Sequence, residues 1–385
     1  MDNSQLTLRC SSAPRWVPCP GSVSLEARHP DTEESLPAME GTAAHWVASE
    51  VLTQWGSQGA SVPIIDEYVG QTAPNGIVVT QEMVNAVNVY VKEVLATLQQ
   101  NGGKLGDLMV EHSVSIDWIH PNNKGTLDCG AHLITHTGNI LRVWDFKYGW
   151  GLVDPKTWQL INYGLGIVYG LPNDVLPTHI EFCIVQPRPY HRDGPIRKER
   201  ITVQELYKLG EHVYNSAHNA TSTSPRLSTG PHCDNCRGRH DCEALSNMTQ
   251  RCREIIENTV PLDIPNNKIG RELELLTELE KLIKARKTGL ESQITAKINN
   301  GNYIEGWTLE PGRGTRKWRG DNDTVREFGK LFNVDLSVDG VLTPAQAEKK
   351  GIDRKILNNF IKKIPGALKL TPQDNNHANK VFKNE

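Results

Sequence analysis

Residues 141–150 read LRVWDFKYGW, and this stretch decides the fold class of the chain. Its β-branched and aromatic residues are typical of a strand. Because side chains two apart on a strand point to the same face, Asp145 and Lys147 are predicted to lie side by side, with Trp144 and Phe146 on the opposite face. A carboxylate beside an ammonium is either a surface ion pair, which stabilises little, or half of a metal-dependent hydrolytic site.

The segment that leads into this stretch has the polarity pattern of further strands. Residues 108–117, 125–136 and 140–147 alternate between apolar and polar side chains. Turn residues separate them at 122–123 and 138–139. The pattern predicts an antiparallel β-meander.

Helical patterns flank the meander on both sides. Apolar residues recur at helical spacing over 41–56 and 81–103 before it, and from about residue 156 after it. A strongly β-branched strand follows at 178–188. The order of helix, three strands, helix and strand predicts an α/β or α+β core around a central mixed sheet.

Length and composition limit the number of domains and the classes of protein to which the chain can belong. The 385 residues suffice for one large domain or two ordinary ones, and 38% are hydrophobic. No apolar run reaches the ~20 residues that span a bilayer, and the N-terminal residues lack the apolar centre of a signal peptide, so we expect a cytoplasmic protein without a membrane partner. With a formal net charge of −3, any contact with nucleic acid must come from a local basic patch.

Four short motifs follow one another along the chain: G-x-x-x-H at 41–45, G-T-x-D at 125–128, D-F-K at 145–147 and Q-x-x-x-Y at 159–163. As an ordered set they resemble the RecB-type branch of the PD-(D/E)XK nuclease superfamily, which includes CRISPR-adaptation exonucleases and the AddB nuclease domain. The resemblance covers roughly residues 10–245. Glu111 lies where that branch often has a glutamate.

The resemblance implies a restriction-endonuclease-like α/β core, with a central mixed sheet flanked by helices. We expect residues 1–250 to form this nuclease domain and residues 251–385 to form a helical and hairpin accessory region. It also implies a divalent cation, Mg²⁺ or Mn²⁺, whose ligands would be His45, Asp128, Asp145 and the carbonyl of Phe146. Two carboxylates and an imidazole suit these ions.

The residues that the resemblance assigns to catalysis are Asp128, Asp145, Lys147, Gln159 and Tyr163. Lys147 would orient the attacking water or stabilise charge on phosphorus. Gln159 and Tyr163, on an exposed helix face, would position the DNA backbone. One departure from the family pattern is Cys129, where an apolar residue is common after the middle acid; we interpret it as a small buried strand residue.

The eight cysteines indicate metal or cluster ligation more than disulfides. Their spacing is C-x₂-C-x₅-C at Cys233, Cys236 and Cys242, and three thiolates require a fourth ligand. In the iron–sulfur members of the branch, one cysteine before the first helix completes the set. The resemblance therefore implies a [4Fe–4S] cluster on these three and Cys19, with Cys10 as a substitute. A structural Zn²⁺ is the alternative, because His232 and His240 lie close by in sequence.

The C-terminal third has no catalytic pattern. Its long helix is predicted over 268–300, followed by a hairpin over 302–320 that contains tryptophans and four cations: Arg313, Arg316, Lys317 and Arg319. Basic and aromatic side chains together are typical of a nucleic-acid surface, although a solvated hairpin face would have the same composition.

The resemblance implies a metal-dependent DNA nuclease, expected to be an exonuclease that acts on linear DNA ends during end processing or recombination in a bacterium or a phage-infected cell. The alternative is a catalytically inactive DNA-binding or assembly module of the same fold that recruits a strand-annealing or recombination protein. A homo-oligomer is compatible with either reading. Cleavage polarity and strand preference stay open.

Overall fold

The computed structural model describes residues 6–29, 34–58, 65–101, 108–135, 138–257, 266–338 and 340–372. Contacts divide the chain into two compact units, Met1–Arg286 and Lys287–Glu385. The cysteine segment and most of the long helix belong to the first unit. The division at residue 250 remains a prediction.

A six-stranded mixed sheet organises the first unit, as the sequence predicts. Its strands are β1 (Leu8–Arg9), β2 (Leu108–Ser115), β3 (Asn123–Thr135), β4 (Gly138–Phe146), β5 (His179–Val185) and β6 (Ile196–Thr202). The predicted antiparallel meander is confirmed in β2, β3 and β4, and β5 pairs with β4 in parallel. The sequence did not indicate β1, which is only two residues long, or β6, whose residues are mostly charged.

Helices α3 and α4 cover one face of this sheet and α5 and α6 cover the other. In chain order the helices are α1 (Ala13–Trp16), α2 (Ser22–Glu26), α3 (Leu36–Gln58), α4 (Gln81–Gln100), α5 (Trp158–Gly170), α6 (Val203–Ala220), α7 (Glu243–Glu257) and α8 (Asn266–Asn299). Leu245 of α7 and Leu282 of α8 pack against the cysteine segment instead of the sheet. Local sequence determines several starts: Thr80, Thr157 and Thr202 each cap a helix by accepting a backbone N–H three residues later. The predicted helices before and after the meander are therefore confirmed.

Two apolar layers hold the sheet between these helices. Trp144 and Phe146 pack with α3 and α4, whereas Leu141 and Val143 pack with α5 and α6. The alternation predicted for β4 is thus confirmed. Each fully buried side chain of this size contributes roughly 1.5–3 kcal/mol, so the two layers stabilise the sheet strongly.

The alternation reverses in the middle of β2 and β3. Val110 and Cys129 belong to the α3–α4 layer, but Val114 and Leu127 belong to the α5–α6 layer. Regular strands would keep Val110 and Val114 on one face. The cause is Glu111, whose left-handed backbone (φ 46°) interrupts the ladder.

The second unit contains a bent two-stranded ribbon and a small core. Its elements are β7 (Trp307–Pro311), β8 (Thr315–Trp318), α9 (Asn322–Leu331), β9 (Ser337–Val338), β10 (Gly340–Val341), α10 (Pro344–Lys349), α11 (Arg354–Phe360), β11 (Ile361–Ile364) and β12 (Leu368–Pro372). The predicted hairpin of residues 302–320 is wrong, because β7 pairs with β12 and β8 pairs with β11. Gly312 and Gly314 allow this: a Cβ on either would lie 2.7 Å from a carbonyl oxygen of the opposite strand segment.

Among the described residues, no helix is both long enough and apolar enough to cross a membrane.

We expect Gly125→Ala to lower the free energy of unfolding by about 1–3 kcal/mol, because overpacking a core forces neighbours to move. A Cβ at Gly125 would lie 2.8 Å from Cys10 Cβ and 3.2 Å from the Tyr163 ring. Urea denaturation measures the change. Gly41→Ala is the control, since a Cβ there meets nothing within 4 Å on α3 and should stabilise by up to about 1 kcal/mol. Equal stability of both variants would contradict this packing.

Candidate active site

Three side chains from three elements form a candidate cation-binding group. Ligand atoms of His45 on α3, Glu111 on β2 and Asp128 on β3 all lie within 4.8 Å of one another. His45 Nδ1 is 3.4 Å from Asp128 Oδ1. Sequence reasoning noted the position of Glu111 but assigned it no ligand role, because its left-handed backbone cannot be recognised from residue type.

Asp128 owes its position to the separation of two strands. The β3–β4 ladder ends at the pair Cys129 and Trp144. Beyond it, the Phe146 N–H donates to Asp128 Oδ2 at 2.8 Å. The carboxylate thus accepts a bond that a backbone carbonyl would accept in a continuing ladder. Ligation of a cation by the Phe146 carbonyl remains a prediction.

A chain of polar contacts lies beside this group. Lys147 Nζ lies 2.8 and 3.0 Å from the two Asp145 oxygens, as the strand alternation predicts. Gln159 Nε2 donates to Asp145 Oδ1 at 3.0 Å, and Gln159 Oε1 accepts from Lys147 Nζ at 3.3 Å. Gln159 Nε2 also lies 3.3 Å from the hydroxyl oxygen of Tyr163. The four catalytic candidates outside the cation-binding group therefore form one connected network.

Asp145 is the most deeply buried acid of the site, at 1% exposed. It lies outside the group whose ligand atoms are within 4.8 Å, so its role as a ligand remains a prediction. Its Oδ2 accepts no hydrogen bond of good geometry from the described residues, although Lys147 Nζ is near. A buried carboxylate oxygen of this kind is suited to a cation or an ordered water.

The prediction that Tyr163 lies on an exposed helix face is wrong, since its side chain is only 3% exposed. Gly125 and Cys10 pack against its ring, as the close contacts around Gly125 indicate. Tyr163 therefore contacts Gln159 from inside the protein and holds it in place. Cys129 is fully buried, as interpreted from the sequence.

Burial and charge interactions together decide the protonation of this site. Burial lowers the pKa of His45, but the Asp128 carboxylate more than offsets it, so the pKa lies above the usual value. Burial raises the pKa of Asp128, yet His45, Lys147 and the Phe146 N–H outweigh it, and the pKa is lowered. For Asp145, burial outweighs the attraction of Lys147, and the pKa is raised.

Lys147 stays protonated at neutral pH. Burial lowers its pKa, but Asp145 and Asp128 more than compensate, and the pKa lies above the usual value. It is therefore a donor and a positive charge, not a base. The cation-binding group of His45, Glu111 and Asp128 offers two carboxylates and one imidazole, a donor set that fits Mg²⁺ or Mn²⁺.

The four cysteines predicted as cluster ligands line one small cavity in the first unit. Cys19, Cys233, Cys236 and Cys242 are all buried there. The Ser228 N–H donates to Cys19 Sγ at 3.3 Å. Burial raises the pKa of Cys236 to about 12, so without a metal its thiol is neutral. The fold thus brings together residues more than 200 positions apart.

The side chains of this cavity suit either a structural zinc or a cluster. Besides the four thiols, His232 lines it. His232 Nε2 lies 3.0 Å from the Ser228 carbonyl oxygen, and the same ring contacts the Cys233 side chain. A zinc-bound histidine commonly has its other ring nitrogen on a backbone carbonyl, so the [4Fe–4S] cluster and the zinc alternative both remain predictions.

Cys10 does not line this cavity. Its thiol lies 3.7 Å from Asn123 Oδ1, and it packs against Gly125. Cys19 is accordingly the better fourth ligand.

The basic residues of the C-terminal third lie on the ribbon of the second unit. Arg313, Lys317 and Arg319 are exposed, while Arg316 is half-buried and pairs with Glu348 at 2.6 Å. Trp318 belongs to the small core, and its Nε1–H donates to the Leu342 carbonyl. The surface is therefore basic but lacks this tryptophan as a stacking residue.

Sequence reasoning missed three further cations of the ribbon. They are exposed on β11 and β12: Lys362, Lys363 and Lys369. Lys362 lies directly opposite Lys317. Like charges placed opposite each other are unfavourable without a counter-charge, which is consistent with the predicted nucleic-acid surface.

A family model described as "Protein of unknown function (DUF2800)" matches residues 6–378. The chain belongs to this family. The match covers residues of both compact units.

For this DUF2800 protein we expect Mn²⁺ affinity to fall as pH is lowered through the raised pKa of His45. A proton on His45 excludes the cation, so binding should weaken by about tenfold per pH unit below that pKa. Because the pKa lies above the ordinary ~6.5, the weakening starts at higher pH than for a free histidine. Calorimetric titration with Mn²⁺ measures it. A His45→Gln control should bind more weakly with a flatter pH profile; an unchanged profile would contradict the assignment.

We expect anaerobically purified DUF2800 protein to contain iron and acid-labile sulfide, and Cys236→Ser to lose both together with the visible absorbance. The melting temperature should also fall, because the ligands join two distant segments. Cys183→Ala is the control, since Cys183 is buried in β5 outside the cavity. Stoichiometric zinc without sulfide would establish the alternative metal, and no metal in either protein would refute the site.

Proposed function

We propose that this protein is a metal-dependent deoxyribonuclease with a PD-(D/E)XK core of the RecB-type branch, acting as an exonuclease on linear DNA. One observation carries the proposal: His45, Glu111 and Asp128 converge within 4.8 Å. Beside them, Asp145 and Lys147 are held in contact. A cation-binding group next to a buried acid and a protonated lysine is an arrangement suited to hydrolysis of a phosphodiester.

The topology supports the same core. Helices α3 and α4 precede an antiparallel meander, α5 follows it, and β5 returns parallel to β4. Asp128 and Asp145 both lie directly beyond the last ladder pair of β3 and β4, Cys129 and Trp144, where the two strands separate.

His45, Glu111 and Asp128 would hold the Mg²⁺ or Mn²⁺ ion. When bound, the ion supplies a positive charge that polarises the scissile phosphate and lowers the pKa of an attacking water. Glu111 carries a raised pKa from burial and from the Asp128 charge, so a cation would relieve the repulsion between these carboxylates.

Lys147 would stabilise negative charge on the phosphate as the reaction proceeds. Its ammonium group is fixed by Asp145 and by Gln159, so little reorganisation is needed when the charge develops. Asp145 Oδ2 accepts no hydrogen bond of good geometry from the described residues and is suited to orient the attacking water. Gln159, which Tyr163 contacts, holds the Asp145 and Lys147 side chains in place.

The remaining features fit a nuclease that processes DNA ends. A [4Fe–4S] cluster on the four cavity cysteines would tie the N-terminal segment to residues 233–242. The exposed cations of the second unit would bind phosphates outside the active site. We place the activity in DNA end processing or recombination in the cytoplasm of a bacterium or phage-infected cell, with a strand-annealing protein as a partner.

We expect Asp145→Asn and Lys147→Met each to lower the cleavage rate by at least about a hundredfold, because each removes charge at the site where charge develops. The assay follows end-labelled linear and closed circular DNA, single-stranded and duplex, with Mg²⁺, Mn²⁺ or EDTA. Metal-dependent loss of linear DNA alone is the expected result.

Asp117→Asn is the matched control, an exposed acid in the turn after β2 that should keep full activity. Melting curves exclude unfolding as the cause of any loss. Cleavage of circular DNA would change the proposal to an endonuclease. Absence of cleavage with every metal, while DNA is still retained in a gel shift, would leave a binding module instead.

A further inference from the structure

The loop that follows Lys147 exposes large apolar side chains beside the candidate active site. Trp150 is 62% exposed and Leu152 is 58% exposed. Large apolar side chains exposed two residues apart form a local apolar patch, and such patches beside polar groups often mark binding surfaces.

The buried side chain of Gln186 fixes the backbone of this loop by hydrogen bonds. The Gln186 side chain donates to the carbonyl oxygens of Gly149 at 2.9 Å and Gly151 at 2.7 Å. Its Oε1 accepts from the Val153 N–H at 3.3 Å and from Arg197 Nη2 at 2.7 Å. Gln186 is fully buried, and a buried amide is stable only when its hydrogen bonds are made. The loop is thus fixed by three hydrogen bonds to one side chain, which Arg197 in turn holds in place.

The guanidinium of Arg188 packs against the ring of the exposed Trp150. Arg188 Cζ lies 4.5 Å from the Trp150 ring centroid and 4.3 Å from that of Tyr148. Glu82 holds the same guanidinium, with Nε 2.8 Å from its carboxylate. One face of the Trp150 ring is therefore covered by Arg188, and the ring is presented in a fixed orientation with much of its surface open.

A groove begins at the same loop and reaches one edge of the candidate active site. Trp150 adjoins it, since Leu152, two residues later, is part of the lining. The lining also includes Lys156, Ser11, Ser12 and Arg15, and from the candidate active site Lys147 and Gln159. The charged residues along it are these three cations, Asp154 and the titratable His232. Hydroxyl and cationic groups in one groove are complementary to a phosphate backbone.

We infer that this groove and the adjoining Trp150 together bind single-stranded DNA, with a base stacked on Trp150 and the backbone along Lys156 and the two serines. The inference rests on the proposed function, because it takes DNA as the substrate. Trp150 can stack on a base only when a face of that base is free. Within a duplex, neighbouring base pairs cover both faces of each base, whereas a single strand leaves them accessible. A positive groove combined with an aromatic platform is the arrangement that binds single strands without regard to sequence.

Fluorescence anisotropy in EDTA tests the inference without cleavage. The probes are a labelled dT oligonucleotide, an abasic strand of equal length and charge, and a blunt duplex of the same length. The full-length protein should bind the dT strand on the order of tenfold more tightly than the abasic strand, and more tightly than the duplex.

Two variants separate base stacking from charge. Trp150→Ala should lose the preference for dT over the abasic strand, and Trp150→Tyr should largely restore it. Lys156→Ala should weaken binding to both strands equally and lower the slope of log affinity against log salt by about 0.7. Tyr169→Ala is the matched control, since Tyr169 is 58% exposed at the other end of α5 and should change nothing.

Tighter binding to the duplex, or an unchanged dT preference in Trp150→Ala, would overturn the inference. The outcome is independent of hydrolysis, because EDTA removes the cation. If Trp150-dependent binding is found and the protein cleaves no DNA with any metal, the nuclease proposal fails and the platform stands. If cleavage proceeds and Trp150→Ala binds and cleaves single strands like the wild type, the platform fails and the nuclease stands.

Discussion

The 2.8 Å hydrogen bond from the Phe146 N–H to Asp128 Oδ2 is the contact on which the arrangement of the site depends. A carboxylate withdrawn from water is costly unless charged or donor groups surround it. Here the backbone of β4 provides a donor to one Asp128 oxygen, and His45 on α3 lies beside the other oxygen. The bond also keeps β3 beside β4 after their ladder has ended. It joins the cation group to the strand that carries Asp145 and Lys147.

Asp145 and Lys147, which follow Trp144 and Phe146 along the chain, fix each other's side-chain positions. Asp145 is buried with an ammonium group against it, and removing one partner of such a pair typically costs about 3–5 kcal/mol. Gln159 bonds to both partners, and Tyr163 supports Gln159 from the interior. A site built in this way is rigid before any substrate arrives. Its rigidity depends on packing around Gly125, where Cys10 and Tyr163 leave no room for a side chain.

The cysteine cavity and the groove share the N-terminal segment. Arg15 lines the groove and lies 2.8 Å from Glu26, whose other oxygen accepts from the Arg237 N–H between Cys236 and Cys242. Cys19 lies between Arg15 and Glu26 in sequence. A cluster on the cysteines would therefore hold one wall of the groove in place. This gives the cysteines a structural reason to accompany the site without any part in the chemistry.

Local sequence by itself determined the meander, the threonine-capped helices and the contact of Asp145 with Lys147, because strand alternation and capping act between residues a few positions apart. Tertiary structure alone decided the features that depend on distant contacts. Glu111 joins His45 and Asp128 through a left-handed backbone that a glutamate does not favour. Tyr163 is buried because Gly125 and Cys10 meet its ring, and the ribbon pairs β8 with β11 because glycines let distant strands approach. Each of these outcomes follows from which surfaces meet in space, and neighbouring residue types do not encode that.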